Sequence, residues 1–203
     1  MPDEILTNYV QEKLYLPNEI LTVIINQLAT DQVNSHDKTL AALASCRLAS
    51  RVLCSLATPL FFSSIYLTDI LGPLKHRVTK LYTFLTIHDV ASSVQTFVLW
   101  CHKENLQDLT NGTIISAILH RLPHIRNFTL KSREYFLDFF SIPWNFASTF
   151  QALCRSPNLI TLDLENIQDF PITAIHTSPN LRQLRLSRVG CRVNAIFCPL
   201  HNN

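Results

Sequence analysis

Glycine is scarce in this chain, with three among 203 residues. Loops that wrap around phosphate groups need several glycines placed together, because other side chains block so close a backbone approach. No such group of glycines occurs in the sequence. The glycine-dependent nucleotide-binding motifs are therefore excluded.

Charge is also scarce. Charged residues make up 16% of the sequence, whereas apolar residues make up 47%. An ordinary globular domain carries about a quarter charged residues. The composition argues against disorder and favours a large buried core or a surface that a partner covers. The formal net charge of +2 is too small to favour nucleic acid as a partner.

Long hydrophobic runs and a secretory signal are lacking too. No stretch reaches the roughly 18 consecutive apolar residues of a membrane span. Asp3 and Glu4 stand where a signal peptide carries basic residues. We therefore expect an intracellular protein, cytoplasmic or nuclear, with no membrane partner. The six dispersed cysteines are then expected to be reduced and mostly buried, with no metal and no cofactor.

What the chain does contain is an apolar stripe near its start. Pro17 suits the first turn of a helix, where its missing N–H has no partner to lose. The residues that follow at helical spacing are Ile20, Leu21, Ile24, Ile25 and Leu28. So wide an apolar stripe must be covered, either by the rest of the chain or by another protein.

The segments on either side of this stripe are simpler. Residues 1–15 predict a short amphipathic lead-in helix. Residues 29–38 are polar and aperiodic, which predicts a loop, with Asp37 or Thr39 capping the next helix.

Two more helices and a strand are predicted to follow. Apolar residues from 40 to 57 recur at spacings of three to five, with a break between Cys46 and Arg47. Pro59 is expected to end the second of these helices. The apolar and aromatic residues 60–67 then predict a strand.

From there on, the chain repeats itself. Helical patterns at residues 74–90, 114–122 and 146–154 each lead into a strand pattern, and a fourth strand follows. The strand motif P-[HN]-[IL]-x-x-[FL]-x-L, without its proline in the first copy, recurs at offsets of 31, 34 and 22 residues. These offsets overlap and exceed those of leucine-rich repeats. Such units stack, so we expect a parallel sheet with helices outside.

The alternation within the motif separates two kinds of position. The two apolar residues of each Leu-x-Leu pair face one side, and the residue between them faces the other. Thr129, Asp163 and Arg185 occupy the middle position. We expect these three side chains to point from the sheet into solvent and to contact a bound substrate.

With its parts in this order, the chain resembles F-box proteins with irregular leucine-rich repeats, a family abundant in mushroom-forming fungi. At the N-terminus the resemblance covers residues 16–67. It rests on LPNEIL at residues 16–21, on TLAALASCR at residues 39–47 and on LATPLF at residues 56–61. The rest of the chain matches the repeat half of such proteins.

The resemblance implies an α+β fold: a three-helix F-box at residues 16–67, then a short, degenerate leucine-rich-repeat arc at residues 68–203. It implies a substrate-recognition adaptor of an SCF-type cullin–RING ubiquitin ligase, which makes and breaks no bond itself. The partners would be a Skp-type adaptor and a protein substrate. The residues implied to bind the adaptor are Leu16, Pro17, Ile20, Leu21, Ile24, Leu43 and Cys46.

Two other classes of function stay open at this stage. In the first, the chain is a stand-alone repeat scaffold for protein–protein interaction, with its early apolar stripe buried in its own fold. In the second, it is an enzyme that uses a metal or a cysteine such as Cys101 or Cys154. The sequence offers no oxyanion loop for the cysteine chemistry, and enzymatic activity is not expected.

Overall fold

The structure is a computed structural model that describes residues 17–30, 36–71, 74–105, 108, 113–176 and 178–192. In these residues the fold is mixed α+β with one parallel sheet, which confirms the predicted class. The predicted lead-in helix at residues 1–15 and the predicted contact residue Leu16 lie outside the described residues.

The chain divides into two compact units, a first unit of Met1–Thr58 and a second unit of Pro59–Asn203. The sequence places the corresponding boundary after residue 67. The structure places it earlier because strand β1, Ser64–Thr68, pairs with the strand that follows it in the second unit.

The described part of the first unit is helical. Its described elements are α1 (Asn18–Thr30), α2 (His36–Ala49) and most of α3 (Arg51–Phe61). Helix α1 packs against α2. Ile25 of α1 and Leu43 of α2 are 2% and 1% exposed, so the predicted apolar stripe has an inner side that belongs to the core.

Two boundaries between these helices differ from the prediction. Helix α2 begins at His36, so Asp37 and Thr39 lie within the helix and are not its cap. The break between α2 and α3 falls at Ser50 and not between Cys46 and Arg47. The Ser50 hydroxyl accepts the Leu53 N–H at 3.2 Å, which makes this serine the N-cap of α3.

Pro59 does not end α3, which continues through it to Phe61. A proline inside a helix leaves the carbonyl four residues earlier without its N–H donor. Here that carbonyl belongs to Ser55, and both Ser55 and Pro59 are exposed, so water can solvate it. The following strand consequently begins at Ser64 and not at Leu60.

The second unit alternates strands and helices. Its strands are β1 (Ser64–Thr68), β2 (Thr96–His102), β3 (Asn127–Arg133), β4 (Leu137–Asp138), β5 (Thr161–Pro171) and β6 (Gln183–Arg192). Its described residues include the helices α4 (Leu74–Ile87), α5 (Ile114–His120) and α6 (Trp144–Arg155). The strand order is β1-β2-β3-β5-β4, with β6 pairing with β5, and every pairing is parallel. Crossovers through helices are what parallel neighbours require.

The repeated motif sets the register of this sheet. Phe97, Phe128, Leu162 and Leu184 are partners across β2, β3, β5 and β6. The second apolar position of each motif aligns in the same way, and these side chains are fully buried in β2, β3 and β5. The copies of the motif therefore stack position for position, and the apolar side chains of β2, β3 and β5 form one core with the helices.

In the last two copies of the motif, an asparagine ties the copy to the one before it. The Asn158 side-chain amide donates to the carbonyl of Pro123 at 2.9 Å, and the Asn180 amide donates to the carbonyl of Pro157 at 2.7 Å. Pro123 and Pro157 each follow a helix, and their carbonyls each accept a hydrogen bond from the next repeat. The Pro-Asn pair therefore has a structural role in stacking.

Candidate functional site

Helix α1 carries an exposed apolar ridge. Ile20, Val23 and Ile24 are 47%, 60% and 49% exposed, and their spacing of three and four residues places them on one side of the helix. We call these three residues the α1 ridge. Three half-exposed β-branched side chains on one helix side make a surface suited to a protein partner.

The other residues implied to bind an adaptor fall into different environments. Pro17 is exposed, while Leu21 and Cys46 are half-buried. Leu43 is 1% exposed, so its side chain lies in the interior. Val23 was missed by the sequence reasoning, although its distance of three residues from Ile20 was the signal that could have found it.

A second candidate surface is the side of the sheet opposite the buried apolar residues, which we call the open face. Thr129, Asp163 and Arg185 lie side by side on it, in register on β3, β5 and β6. Tyr66 and Val98 continue the row across β1 and β2. The structure thus brings the three predicted substrate residues together, with Thr129 and Asp163 half-buried and Arg185 exposed.

The next row along the strands holds an ion-pair network. The Lys131 ammonium lies 2.9 Å from Asp163 and 3.4 Å from Glu165, and Arg188 contacts Glu165 at 2.8 Å. Burial lowers the pKa of Lys131, but its bonds to the two carboxylates outweigh that effect and raise it. The Arg188 hydrogen bond is the main reason that the pKa of Glu165 lies below its ordinary value. Asp163 and Glu165 are therefore both already paired.

A polar cluster lies at the carboxyl ends of β1, β2 and β3, and no sequence motif predicted it. The Asp69 side chain, 6% exposed, accepts the backbone N–H of His102 at 2.6 Å and the Asn105 amide at 2.9 Å. The His102 ring nitrogen Nδ1 lies 2.7 Å from the same carboxylate, and Arg133 lies 3.5 Å from it. Glu134 is 3.5 Å from the other ring nitrogen of His102.

This cluster shifts the pKa of Asp69 and the pKa of His102. Burial raises the pKa of Asp69, but the donors from His102 and Asn105 outweigh it and lower the pKa to about 2. The hydrogen bond to Asp69 is the main cause that raises the pKa of His102 above its ordinary value. The cluster therefore holds an ionised carboxylate against a histidine that gains positive charge readily.

Acid should weaken the second unit through Asp69. Because the pKa of Asp69 is lowered from 3.8 to about 2 by folding, its contribution to stability is present above the higher value and is lost as the pH falls through the lower one. Unfolding in urea, followed by tryptophan fluorescence between these two pH values, should give a falling midpoint. An Asp69→Asn variant should give a flatter acid limb. Identical slopes for the two proteins would refute this role of Asp69.

The two buried cysteines are poorly suited to nucleophilic chemistry. Burial is the main reason that the pKa of Cys101 and of Cys154 rises to about 12, so the reactive thiolate is scarce at neutral pH. In the described part of the chain, no group of three or more histidine, cysteine, aspartate or glutamate residues is placed to hold a metal ion.

Comparison with known proteins returned no match: no family model, no curated protein and no solved structure is similar to this chain at a significant level. None of the helices in the described residues has the length and apolar character needed to cross a membrane.

Proposed function

We propose that this chain is an F-box substrate adaptor of an SCF-type cullin–RING ubiquitin ligase. The first unit docks a Skp-type adaptor subunit, and the repeats of the second unit hold the protein to be ubiquitylated. The chain then acts by raising the effective concentration of the substrate near the ligase-bound ubiquitin carrier.

The observation that carries this proposal is the α1 ridge. Ile20 and Ile24 belong to the stretch that resembles the first helix of an F-box, and both are about half exposed. An isolated chain gains nothing from leaving apolar side chains in water, since each buried one contributes stability. Their exposure is what a surface reserved for another subunit requires.

The second unit supports the same proposal from the substrate side. Its helix–strand units stack in a parallel register that follows the motif, as a degenerate leucine-rich-repeat arc would. Such stacks offer a continuous surface for a bound protein. The open face, with Thr129, Asp163 and Arg185 in one row, is the proposed place for the substrate.

The rival reading, a stand-alone repeat scaffold, predicts that the apolar stripe is sealed within the chain's own fold. The half-exposed α1 ridge favours the ligase link over this rival. The two readings also differ in the partner that accompanies the purified protein, because the scaffold needs no adaptor subunit.

Charge placed on the α1 ridge should abolish adaptor binding. An Ile20→Asp, Ile24→Asp double variant puts two carboxylates where apolar contact is needed, and side chains at the centre of an interface each contribute about 2 kcal/mol or more. We expect the affinity for a purified Skp-type adaptor to fall by at least about 30-fold. Calorimetry or co-purification of the two co-expressed chains measures this.

Ile87→Asp is the matched control, since Ile87 is 69% exposed and lies in the second unit. It makes the same chemical change away from the ridge and should leave adaptor binding intact. Circular dichroism spectra should be the same for all variants. Equal adaptor binding by the ridge variant and by the control would contradict the ligase proposal. Absence of adaptor binding by the natural chain would favour the scaffold interpretation.

A further inference from the structure

Strand β6 lies at the edge of the sheet that the described residues form. Strand β6 pairs with β5 along one edge, and none of the strands in the described residues pairs with its other edge. Every residue of β6 is exposed except Val189, which is half-buried. The edge of a sheet with unpaired N–H and C=O groups is a template for a further strand.

A series of backbone hydrogen bonds leads to this edge. Four strands each begin with a residue whose N–H donates to the carbonyl of the residue just before the neighbouring strand. The bonds run from Thr96 to Ser63, from Asn127 to Gln95, from Thr161 to Arg126 and from Gln183 to Ile160, at 2.9 to 3.0 Å. The next carbonyl in this series is that of Arg182. No residue in the described ranges donates a hydrogen bond to it.

The edge is also strongly basic. Residues 178–192 contain four arginines and no acidic residue. Two of these arginines reach back to carboxylates of β5, Arg188 to Glu165 at 2.8 Å and Arg192 to Asp169 at 3.6 Å. Arg182 and Arg185 are exposed and have no acidic partner within the described part of the chain.

Apolar residues alternate with these charges. Leu184 and Leu186 are 41% and 40% exposed, although the equivalent residues in β2, β3 and β5 are fully buried. An occupant of the edge must therefore offer apolar side chains on one side and carboxylates on the other. This alternation is a property of an extended peptide and not of a nucleic acid.

Two other candidates for binding to the outer edge of β6, a second copy of the chain and residues 193–203, lack the required acidic side chains. A second copy of the chain, paired edge to edge through β6, would bring arginines against arginines, and like charges across strands are destabilising. Residues 193–203 contain no acidic residue, so none of their side chains offers a carboxylate to Arg182 or Arg185.

We propose that the outer edge of β6 binds an extended segment of a partner protein as one more parallel strand, with acidic residues alternating with apolar ones. The chain itself contains a segment of this chemistry on the inner edge. Residues 161–165, TLDLE, place Asp163 beside Arg185 and two leucines beside Leu184 and Leu186. The inference concerns the second unit alone and is independent of the ligase link. Addition of a strand to a sheet edge is an established mode of peptide recognition.

The test uses the full chain and a fluorescein-labelled peptide that carries TLDLE between serine flanks. Fluorescence anisotropy should show saturable binding. Replacement of the two peptide acids by lysine should weaken the binding by about tenfold or more, because charge-assisted pairs are replaced by repulsion. An Arg182→Glu, Arg185→Glu variant should weaken the binding of the acidic peptide to a similar extent and should prefer the lysine peptide.

Methylation of backbone nitrogens separates strand pairing from simple charge attraction. In a strand, successive N–H groups point to opposite edges. Since the N–H of Thr161 points to the preceding strand, the N–H groups at the aspartate and glutamate of an added peptide would point to β6. Methylation at these two positions should abolish binding, whereas methylation at the two leucines should preserve it.

Each other outcome overturns the proposal. Equal binding of the two methylated peptides would mean that the peptide adsorbs through charge alone. Displacement of the peptide by an oligonucleotide at the same ionic strength would mean the same. Sedimentation that shows dimers sensitive to the arginine substitutions means that a second copy occupies the edge. Absence of peptide binding by the natural chain means that the edge does not accept a strand.

Discussion

Replacing Phe150 by alanine is expected to lower the free energy of unfolding of the second unit by about 3–5 kcal/mol. Phe150 is fully buried in α6. Its ring centroid lies 5.8, 5.6 and 5.9 Å from those of Phe128, Phe139 and Phe170, which belong to three other segments of the unit. The substitution therefore removes contacts to several elements at once and leaves a cavity that they cannot all close.

Tryptophan fluorescence reports this unfolding specifically, because the two tryptophans, Trp100 and Trp144, both lie in the second unit. In a urea titration the midpoint should fall while the slope stays unchanged. Phe136→Ala is the matched control, since Phe136 is 47% exposed and its loss should change stability by about 0.5 kcal/mol or less. Similar midpoints for the two variants would contradict the assignment of Phe150 to the centre of the core.

Loss of the Asp69 carboxylate is the second large effect that we expect. Asp69→Ala should destabilise the second unit by about 1.5–3 kcal/mol, because a hydrogen-bond acceptor shared by charged and neutral donors is removed from a buried position. The backbone N–H of His102 and the amide of Asn105 lose their partner. The cost stays below that of a fully buried ion pair because His102 and Arg133 are about a third exposed and can be solvated.

The same urea titration at neutral pH measures this effect. Asp89→Ala provides the control, since Asp89 is an exposed aspartate in the same unit. The Asp69 variant should also bring the pKa of His102 back toward its ordinary value, which NMR titration of the ring detects. An unchanged histidine titration together with a midpoint equal to that of the control would mean that the cluster has no stabilising role.

The repeated motif predicted the sheet correctly for a physical reason. A buried apolar position on one strand must lie beside a buried apolar position on the next, since a slip by one residue would turn it to solvent. The spacings between motif copies therefore equal the register: Phe97 pairs with Phe128, and Phe128 with Leu162.

Local sequence patterns predicted the ends of helices and the polar cluster less well, because solvent exposure and distant contacts decide them. Pro59 is a strong helix breaker by itself, yet α3 continues through it at a place where Ser55 and Pro59 are both exposed to solvent. The cap at Ser50 was missed because the apolar spacing around it is nearly continuous. The Asp69 cluster has no local signature, since Asp69 lies 33 residues before His102 and 36 residues before Asn105, and these residues meet only through the stacking of repeats.

The sequence by itself determined the alternation of helices and strands, the parallel register and the candidate row of Thr129, Asp163 and Arg185, because periodic burial is written in the order of apolar residues. Only the tertiary structure decided which apolar residues stay in water. Ile25 is buried while Ile20 and Ile24 are not, and the leucines of β6 are half exposed although their motif matches the buried ones. The periodicity of apolar residues indicates which side of a helix or strand should be buried. Whether that side is buried depends on a neighbouring element that packs against it.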